Sequence, residues 1–491
     1  MAAHDDQQRR LLDAISRMGS AGRAESEDLS RLPRTFWPVP EHLRAFDPDV
    51  VLVVGTRGAG KTELFRTVID QGLLSEVAAR VPHLRLPPLK GSQTSWLSGY
   101  PIGTDFPDHL LLQKFVGTSD PTDELFLEIW LAYLIRVLGK HIKGDAPAAI
   151  FEPQGGDIGN VVNAFQLTMQ SSLLALDRLD KRLVEEDRYI FVAYDELDTL
   201  ARISSNIVLT AVRGLVGLWA SHTRRWRRIR GKIFLRTDLY DRAAIAGGAD
   251  FAKLAANRTE LTWSDRDLYS MLVRRLANSN EELLEYCREK MKFDYDQKLG
   301  YFPKVNQASD IRPLIERIVG NYMGANKRKG LTFTWLLDHI RDGNGQAIPR
   351  PLVRLIEWAA EVQKRGPTIP RWPRLIEPSA LRRALDRVSN EHVAASLDEW
   401  PWLDGLKRML SRNSEVPWDQ KDIEWYLNEK WDDEWADRKS TIRPPVSSAH
   451  ELVRYLVEVG IFRARSDGRL DVPDLFLAGL GLKRKGGVRM R

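Results

Sequence analysis

Residues 55 to 62 read Gly55-Thr56-Arg57-Gly58-Ala59-Gly60-Lys61-Thr62, which fits G-x-x-x-x-G-K-[ST] without a mismatch. The spacing suits a phosphate chain lying against bare backbone. Gly55, Gly58 and Gly60 admit conformations closed to residues with a Cβ, so successive N–H groups can turn inward towards a β-phosphate. The helix that must follow, from about Lys61 through Glu63, adds the partial positive charge of its N-terminus. Lys61 is expected to reach the β- and γ-phosphates. The Thr62 hydroxyl is expected to be one ligand of a Mg²⁺ ion that keeps most of its water. A glycine-rich turn can match such a pattern by accident, but the flanks support a nucleotide site. Val50 to Val54 is an apolar run fit for a strand buried on both faces, and Leu64, Phe65, Val68 and Ile69 give the next helix an apolar stripe.

A second constellation is acidic. Tyr189 to Tyr194 is a continuous apolar run, the mark of a central parallel strand, and it ends in Asp195-Glu196-Leu197-Asp198 where the chain leaves the sheet. Ligands of open α/β sheets sit at such strand ends. In this Walker B-like segment Asp195 is expected to hold Mg²⁺, through water, and Glu196 to orient and deprotonate an attacking water. The plain alternative is a strand capped by solvated acids, and the phosphate loop upstream tells against it. A third run, Gly231 to Leu239, again passes from apolar to polar at its C-terminal end, with Arg236 and Thr237 at the tip.

These residues need a scaffold that brings three strand ends together. Before the first strand, residues 1 to about 45 read as a polar helix and a Pro-punctuated arm, which Phe36 and Trp37 are expected to pin to the body. Residues 46–263 then read as the P-loop core that carries these motifs, interrupted by a long insertion over about 80–185. Its first half, with Pro87, Pro88, Gly91, Gly99, Pro101, Gly103 and Pro107, reads as loop. Its second half carries apolar residues at helical spacing, from Phe126 to Val137 and from Val162 to Leu176. Leu261 to Leu268 reads as a last core strand giving way to a helix capped by Ser264 or Asp265. Residues 264–365 read as helical with loops, and Pro351 suits the first turn of a helix that Arg350 just precedes. The Pro-rich stretch 366–373 suggests a boundary, leaving 366–491 as a C-terminal domain. That domain ends in a helix over Ala449 to Gly460 and a hairpin turning at Asp467-Gly468, the close of a winged-helix-like fold.

The bulk numbers exclude several classes. A chain of 491 residues with 43% hydrophobic and 29% charged residues suggests a globular protein of two to four domains. No apolar run reaches the roughly 20 residues of a membrane span, and the N-terminus lacks a signal-peptide core, so a cytoplasmic location is expected. The single cysteine, Cys287, excludes intrachain disulfides and cysteine-built zinc sites and reads as a buried inert thiol. The net charge of +6 is ordinary for this much surface, so position matters more than the total. Two basic clusters stand out, Arg224 to Arg230 and the tail from Lys483 to Arg491.

On the residues Gly55 to Thr62, Asp195 to Asp198, Phe234 to Asp238 and Pro349-Arg350-Pro351, the chain resembles bacterial P-loop ATPases of the AAA+/STAND kind. The resemblance covers roughly residues 45 to 365 and extends to the initiator-like branch, with lid and winged helix, and to KAP-like ATPases associated with antiviral defence or mobile elements. It implies an α/β fold in which a P-loop NTPase parallel sheet carries a helical insertion, a helical lid and a C-terminal winged-helix-like domain. It also implies ATP and Mg²⁺ as ligands. Arg236 or Thr237 would then sense the γ-phosphate at the end of the third strand, and Arg350 would be a second sensor emerging from the lid. A strand-end arginine paired with an acid is the structural alternative for Arg236, and an ion pair or helix cap the alternative for Arg350. The chain departs from the pattern in its longer insertion and in Arg236, which stands where Asn, Ser or Thr is usual. No arginine finger acting in trans is identifiable, although Arg224, Arg225, Arg227 and Arg228 lie near its expected place.

Two functions follow as expectations. The first is an ATP-hydrolysing switch, working as a homo-oligomer or on an effector protein, with antiviral defence implied by the resemblance alone. The alternative is an ATP-dependent DNA-binding regulator or loader for replication or transposition, reaching DNA through the basic tail. No [NT]-K-x-D motif supports a GTPase, and no second motor lobe supports a two-lobed helicase.

Overall fold

The computed structural model describes residues 2–19, 31–69, 73–81, 84, 93–101, 109–117, 121–142, 144, 150–151, 158–202, 205–411, 414–435 and 443–486. Pro87, Pro88, Gly91, Gly103, Pro107 and the tail from 487 to 491 lie outside them. The chain divides into two compact units, Pro38–Thr262 and Met1–Trp37 together with Trp263–Arg491.

The first unit is built on a parallel five-stranded sheet. Its strands are β1 (Leu52–Gly55), β2 (Gln93–Tyr100), β3 (Arg188–Tyr194), β4 (Ile229–Arg236) and β5 (Thr259–Glu260), in the order β2-β3-β4-β1-β5. All four pairings are parallel. This is the α/β, P-loop NTPase sheet that the sequence implies. The central strands are buried along nearly their whole length, which is why they read as unbroken apolar runs. Register sets the site: Gly55 lies opposite Arg236, and Tyr194 lies opposite both Ile233 and Tyr100. The strands carrying the phosphate loop, the acids and the third polar tip therefore end near one level.

Strand β2 corrects the sequence reading, which takes this half of the insertion as loop. Gln93 is exposed and Thr94, Ser95 and Ser98 are only partly covered on a sheet edge, so no apolar run announces the strand. Strand β5 also begins earlier than expected, at Thr259 instead of Leu261. The insertion's second half forms the helices Asp123–Ile142 and Ile158–Glu185. Asp123–Ile142 packs on the helix Ser205–His222, and the Trp130 Nε1–H donates to Ala211 O at 2.8 Å. Trp219 of Ser205–His222 packs against β4 at Gly231, and only a glycine permits this, because a Cβ there would fall 2.2 Å from its ring.

In the second unit the helix Ala2–Ser16 runs along the helix Pro349–Arg365 and buries Leu11, Leu12 and Ile15. Phe36 and Trp37 are buried, and Trp37 Nε1–H donates to Asp267 at 3.3 Å. Ser264 caps the helix Asp265–Ala277 by accepting from the Asp267 N–H. The stretch read as helices with loops also holds an antiparallel hairpin, β6 (Phe293–Asp296) with β7 (Gly300–Pro303). Past the proline-rich segment, whose Leu375 and Ile376 N–H groups both donate to Ile318 O at 2.9 Å, the helix Pro378–Ser396 turns back along Pro349–Arg365.

The chain then continues as the helix Leu403–Leu410, strands β8 (Glu415–Val416) and β9 (Trp418–Asp419), and helices Gln420–Glu429 and Ala449–Glu458. Strands β10 (Arg463–Ala464) and β11 (Arg469–Asp471) follow, and β12 (Lys483–Arg484) pairs with β8. The order β10-β11-β9 makes a small antiparallel sheet, with Gly468 at φ +80° turning the expected hairpin. Cys287 is buried, and burial pushes its thiol up to about 12. Among the described residues no helix is long and apolar enough to cross a membrane.

Candidate functional site

The phosphate loop leaves β1 at Gly55 and enters the helix Lys61–Ile69. Gly58 and Gly60 sit at φ +88° and +99°, the left-handed region that an L side chain resists, and this curls the loop back on itself. Ala59 N–H closes the turn on Thr56 O at 3.1 Å, and Leu64 N–H begins the helix ladder on Gly60 O at 2.9 Å. Ala59 is fully buried, Arg57 half-buried and Thr56 exposed, while Glu63 lies in the helix's first turn. The Lys61 ammonium donates to the carbonyls of Gly55, at 2.8 Å, and Thr56, at 3.1 Å, so it is held at the rim of the loop.

Asp195 follows the last residue of β3, and its N–H donates to Tyr100 O of the edge strand at 2.9 Å. Its carboxylate meets the phosphate loop directly, accepting a hydrogen bond from the Thr62 hydroxyl within the field of Lys61. Burial pushes this carboxyl up to about 6. The Glu196 N–H, Thr62 and Lys61 act against the shift, and Asp198 adds to it. One oxygen, Oδ2, is buried without a hydrogen-bond partner. A desolvated carboxylate with an unused oxygen, beside a hydroxyl, is a donor set that a hard divalent cation fits.

Glu196 stands next along the chain at φ +54°, one of two non-glycine residues among those described with a positive φ. The short turn Leu197–Arg202 follows, in which Thr199 folds back on Glu196. Its N–H donates to Glu196 O at 2.9 Å and its hydroxyl to the same oxygen at 2.7 Å. Asp198 points across to β4, where Arg236 Nη1 donates to it at 3.0 Å.

Arg236 is thus engaged twice, because its Nε and Nη2 also form a fork with both oxygens of Asp238 at 3.0 and 2.8 Å. This is the strand-end pairing with acids raised for it as the structural alternative. The next residue, Thr237, differs: its Oγ1 is buried with no hydrogen-bond partner. Arg350 lies in the second unit, inside the first turn of Pro349–Arg365 instead of just ahead of it.

The basic run before β4 is organised by two acids of the helix Ile158–Glu185. Asp180 accepts the backbone N–H groups of Arg227, Arg228 and Ile229 at 2.9, 2.7 and 3.0 Å. Asp177 takes a fork from Arg225 at 2.8 and 2.7 Å together with Trp226 Nε1–H at 3.0 Å. Arg228 pairs with Asp187 and lies over the Tyr189 ring. Arg225 and Arg228, which lie near the place expected of a trans-acting arginine, are therefore tied within their own chain. Tyr100 and Thr199 at the site, and Asp180 at the opposite end of β4, are the residues that the sequence reading missed. Nothing local marks them, since each matters through a partner far along the chain or through an overlooked strand.

No protein-family profile and no curated protein matches the chain. It is similar in structure to the ORC2 protein of Aeropyrum pernix in its ADPNP-ADP complexes, at 15% identity and a TM-score of 0.38, over 94% of this chain and 93% of that one. It is also similar to the ADP form of that protein, at 16% identity and TM-score 0.31, over 93% and 90% of the two chains. Cdc6p from Pyrobaculum aerophilum shows 14% identity and TM-score 0.30, over 92% and 97%. Superpositions this loose carry no residue roles to this chain.

Proposed function

We propose that this chain binds ATP with Mg²⁺ and hydrolyses it to ADP and phosphate, as an AAA+/STAND-like switch that controls a partner protein or a second copy of itself. The single observation that supports this best is the meeting of Thr62 and Asp195 beside Lys61, with one carboxylate oxygen left unpartnered in a buried site. The backbone N–H groups of the curled loop receive the phosphates, and Lys61 exchanges its two carbonyls for β- and γ-phosphate oxygens. Thr62 and Asp195 would hold Mg²⁺, which would supply neutralising charge to the phosphates. Glu196 takes a proton from the water that attacks the γ-phosphorus as the bond to the β–γ bridging oxygen breaks. Thr237, with its free buried hydroxyl, is the better reader of the γ-phosphate, because Arg236 is already shared between Asp198 and Asp238. Arg350 is assigned as the second sensor and residues 264–365 as the lid. A cytoplasmic setting rests on the sequence, and a part in bacterial antiviral defence on the family resemblance alone.

The test is direct. Lys61→Ala should abolish ATP binding, while Glu196→Gln should bind ATP and fail to turn it over; equal hydrolysis by wild type and Glu196→Gln would remove Glu196 from this role.

The helix, paired helices and hairpin between 403 and 471 have a winged-helix-like order, which favours DNA as a second reading. A protein partner is favoured by the engagement of Arg484 of the basic tail with Asp471 at 2.7 Å and Asp474 at 2.9 Å, in a segment, 415–491, whose acidic and basic residues balance.

A further inference from the structure

We propose that Tyr100 and Thr199 are positioning residues that hold Glu196 in the geometry of a general base, an inference that rests on the hydrolytic role given to Glu196 above. A glutamate at φ +54° is in a region that L residues enter at a cost, and such a conformation persists only where the surroundings over-determine it. Here they do.

The phenol of Tyr100 is 2.7 Å from the Thr199 hydroxyl, and the Thr199 hydroxyl is 2.7 Å from the Glu196 carbonyl. A carbonyl oxygen can only accept, so the Thr199 proton points at Glu196 and the Tyr100 proton must point at Thr199. The relay therefore has one direction, Tyr100 O–H to Thr199 O–H to Glu196 C=O, and each bond polarises the next. Thr199 N–H adds a second donor on the same carbonyl at 2.9 Å.

Tyr100 grips the other side of the pair as well. Its own carbonyl accepts the Asp195 N–H at 2.9 Å. One residue on the edge strand thus fixes both the acid assigned to the metal and the acid assigned to the water. Tyr100 is itself rigid, 3% exposed and set edge-on against Trp130 at 6.0 Å, and Trp130 is anchored through Ala211 to the helix Ser205–His222. With the clamp lost, the backbone at Glu196 is free to relax towards φ < 0, which swings the carboxylate away while leaving the phosphate loop untouched.

The experiment compares Tyr100→Phe, Thr199→Val, Thr199→Ser and the Tyr100→Phe/Thr199→Val double variant of the full chain, measuring ATP affinity with a fluorescent ATP analogue and steady-state hydrolysis. Tyr100→Phe keeps the ring against Trp130 and should lower kcat about three- to tenfold, and Thr199→Val about tenfold or more, the loss of one or two hydrogen bonds. Affinity should stay within about twofold throughout, Thr199→Ser should restore turnover, and the double variant should be no slower than Thr199→Val. Wild-type kcat in Tyr100→Phe and Thr199→Val overturns the proposal, as does a loss of kcat matched by a loss of affinity or not rescued by serine. Should Thr199→Val fail to fold, Tyr100→Phe and Thr199→Ser carry the comparison alone. A wild-type protein that hydrolyses no faster than Glu196→Gln fails one step earlier, at the assignment of the base, and takes the proposal with it.

Discussion

If Glu196 is held in a strained conformation for the sake of its carboxylate, then replacing it by glycine should make the protein more stable than replacing it by alanine, although alanine is the better residue almost everywhere else. Both substitutions remove the same carboxylate from beside Asp195 and Asp198, so the difference between them isolates the backbone. An L residue in the left-handed region costs roughly 1–2 kcal/mol. Against this, glycine gives the unfolded chain extra freedom worth about 0.4–1 kcal/mol. The balance favours Glu196→Gly over Glu196→Ala by roughly 0.5–1 kcal/mol, which for a unit of this size is a rise of about 1–4 °C in Tm. Thermal melts of the two nucleotide-free proteins by circular dichroism measure it, and neither variant should hydrolyse ATP. Asp187 is an internal control. It sits at φ +48° in the exposed turn before β3, so glycine should exceed alanine there too. An alanine variant at position 196 as stable as the glycine variant, with the control behaving as expected, would refute the claim that Glu196 is strained.

Two further predictions follow. Lys232 is fully buried on β4, with its ammonium bonded to Asp47 O and, at 2.5 Å, Val50 O, and burial pushes it down to about 7. The unfolded chain therefore binds more protons than the folded one from about pH 7 to about pH 10, and stability should rise with pH across that window. Urea unfolding at pH 7 and pH 9 should show wild type gaining on the order of 2 kcal/mol relative to Lys232→Met, and parallel pH profiles would show that the amine keeps its proton. Neutralising Lys483 and Lys485 should leave duplex DNA binding unchanged in fluorescence anisotropy. A loss of affinity with a salt slope lower by about 2 would instead favour the DNA reading.

How much of this was legible follows from how local each feature is. The phosphate loop is a contiguous string whose residue types state their own chemistry, and β3 announces itself because a strand buried on both faces must be apolar throughout. Strand β2 is on the edge, so its serines and threonines conceal it, and with it goes Tyr100. The β6–β7 hairpin has only Phe293, Tyr295 and Tyr301 around Gly300 as its signal, too short a pattern to stand out between helical stretches. The left-handed Glu196 leaves no trace in residue type, because the clamp comes from a threonine three residues on and a tyrosine a hundred residues back. Arg236 has a place at a strand end that suits either a ligand or an acid, and residue type alone does not show that Asp198 and Asp238 both lie within its reach.

The same locality explains why net charge guides so little here. Arg224 to Arg230 looks like a nucleic-acid stripe, yet its middle is a structural turn: three N–H groups converge on Asp180, Trp226 is buried, and Arg225, Arg228 and Arg230 have partners in their own unit. Such a turn gains by being basic, because the helix it must join presents Asp177 and Asp180 at the point where β4 begins. Arg484 repeats the logic at the other end of the chain, locking β12 to the acids that follow and close the hairpin. Cations engaged in this way are withdrawn from any phosphate backbone, and the short helix Trp431–Trp435 carries Asp432, Asp433 and Glu434. An acidic turn of this kind suits basic protein segments better than a phosphate backbone, in keeping with the protein partner proposed above.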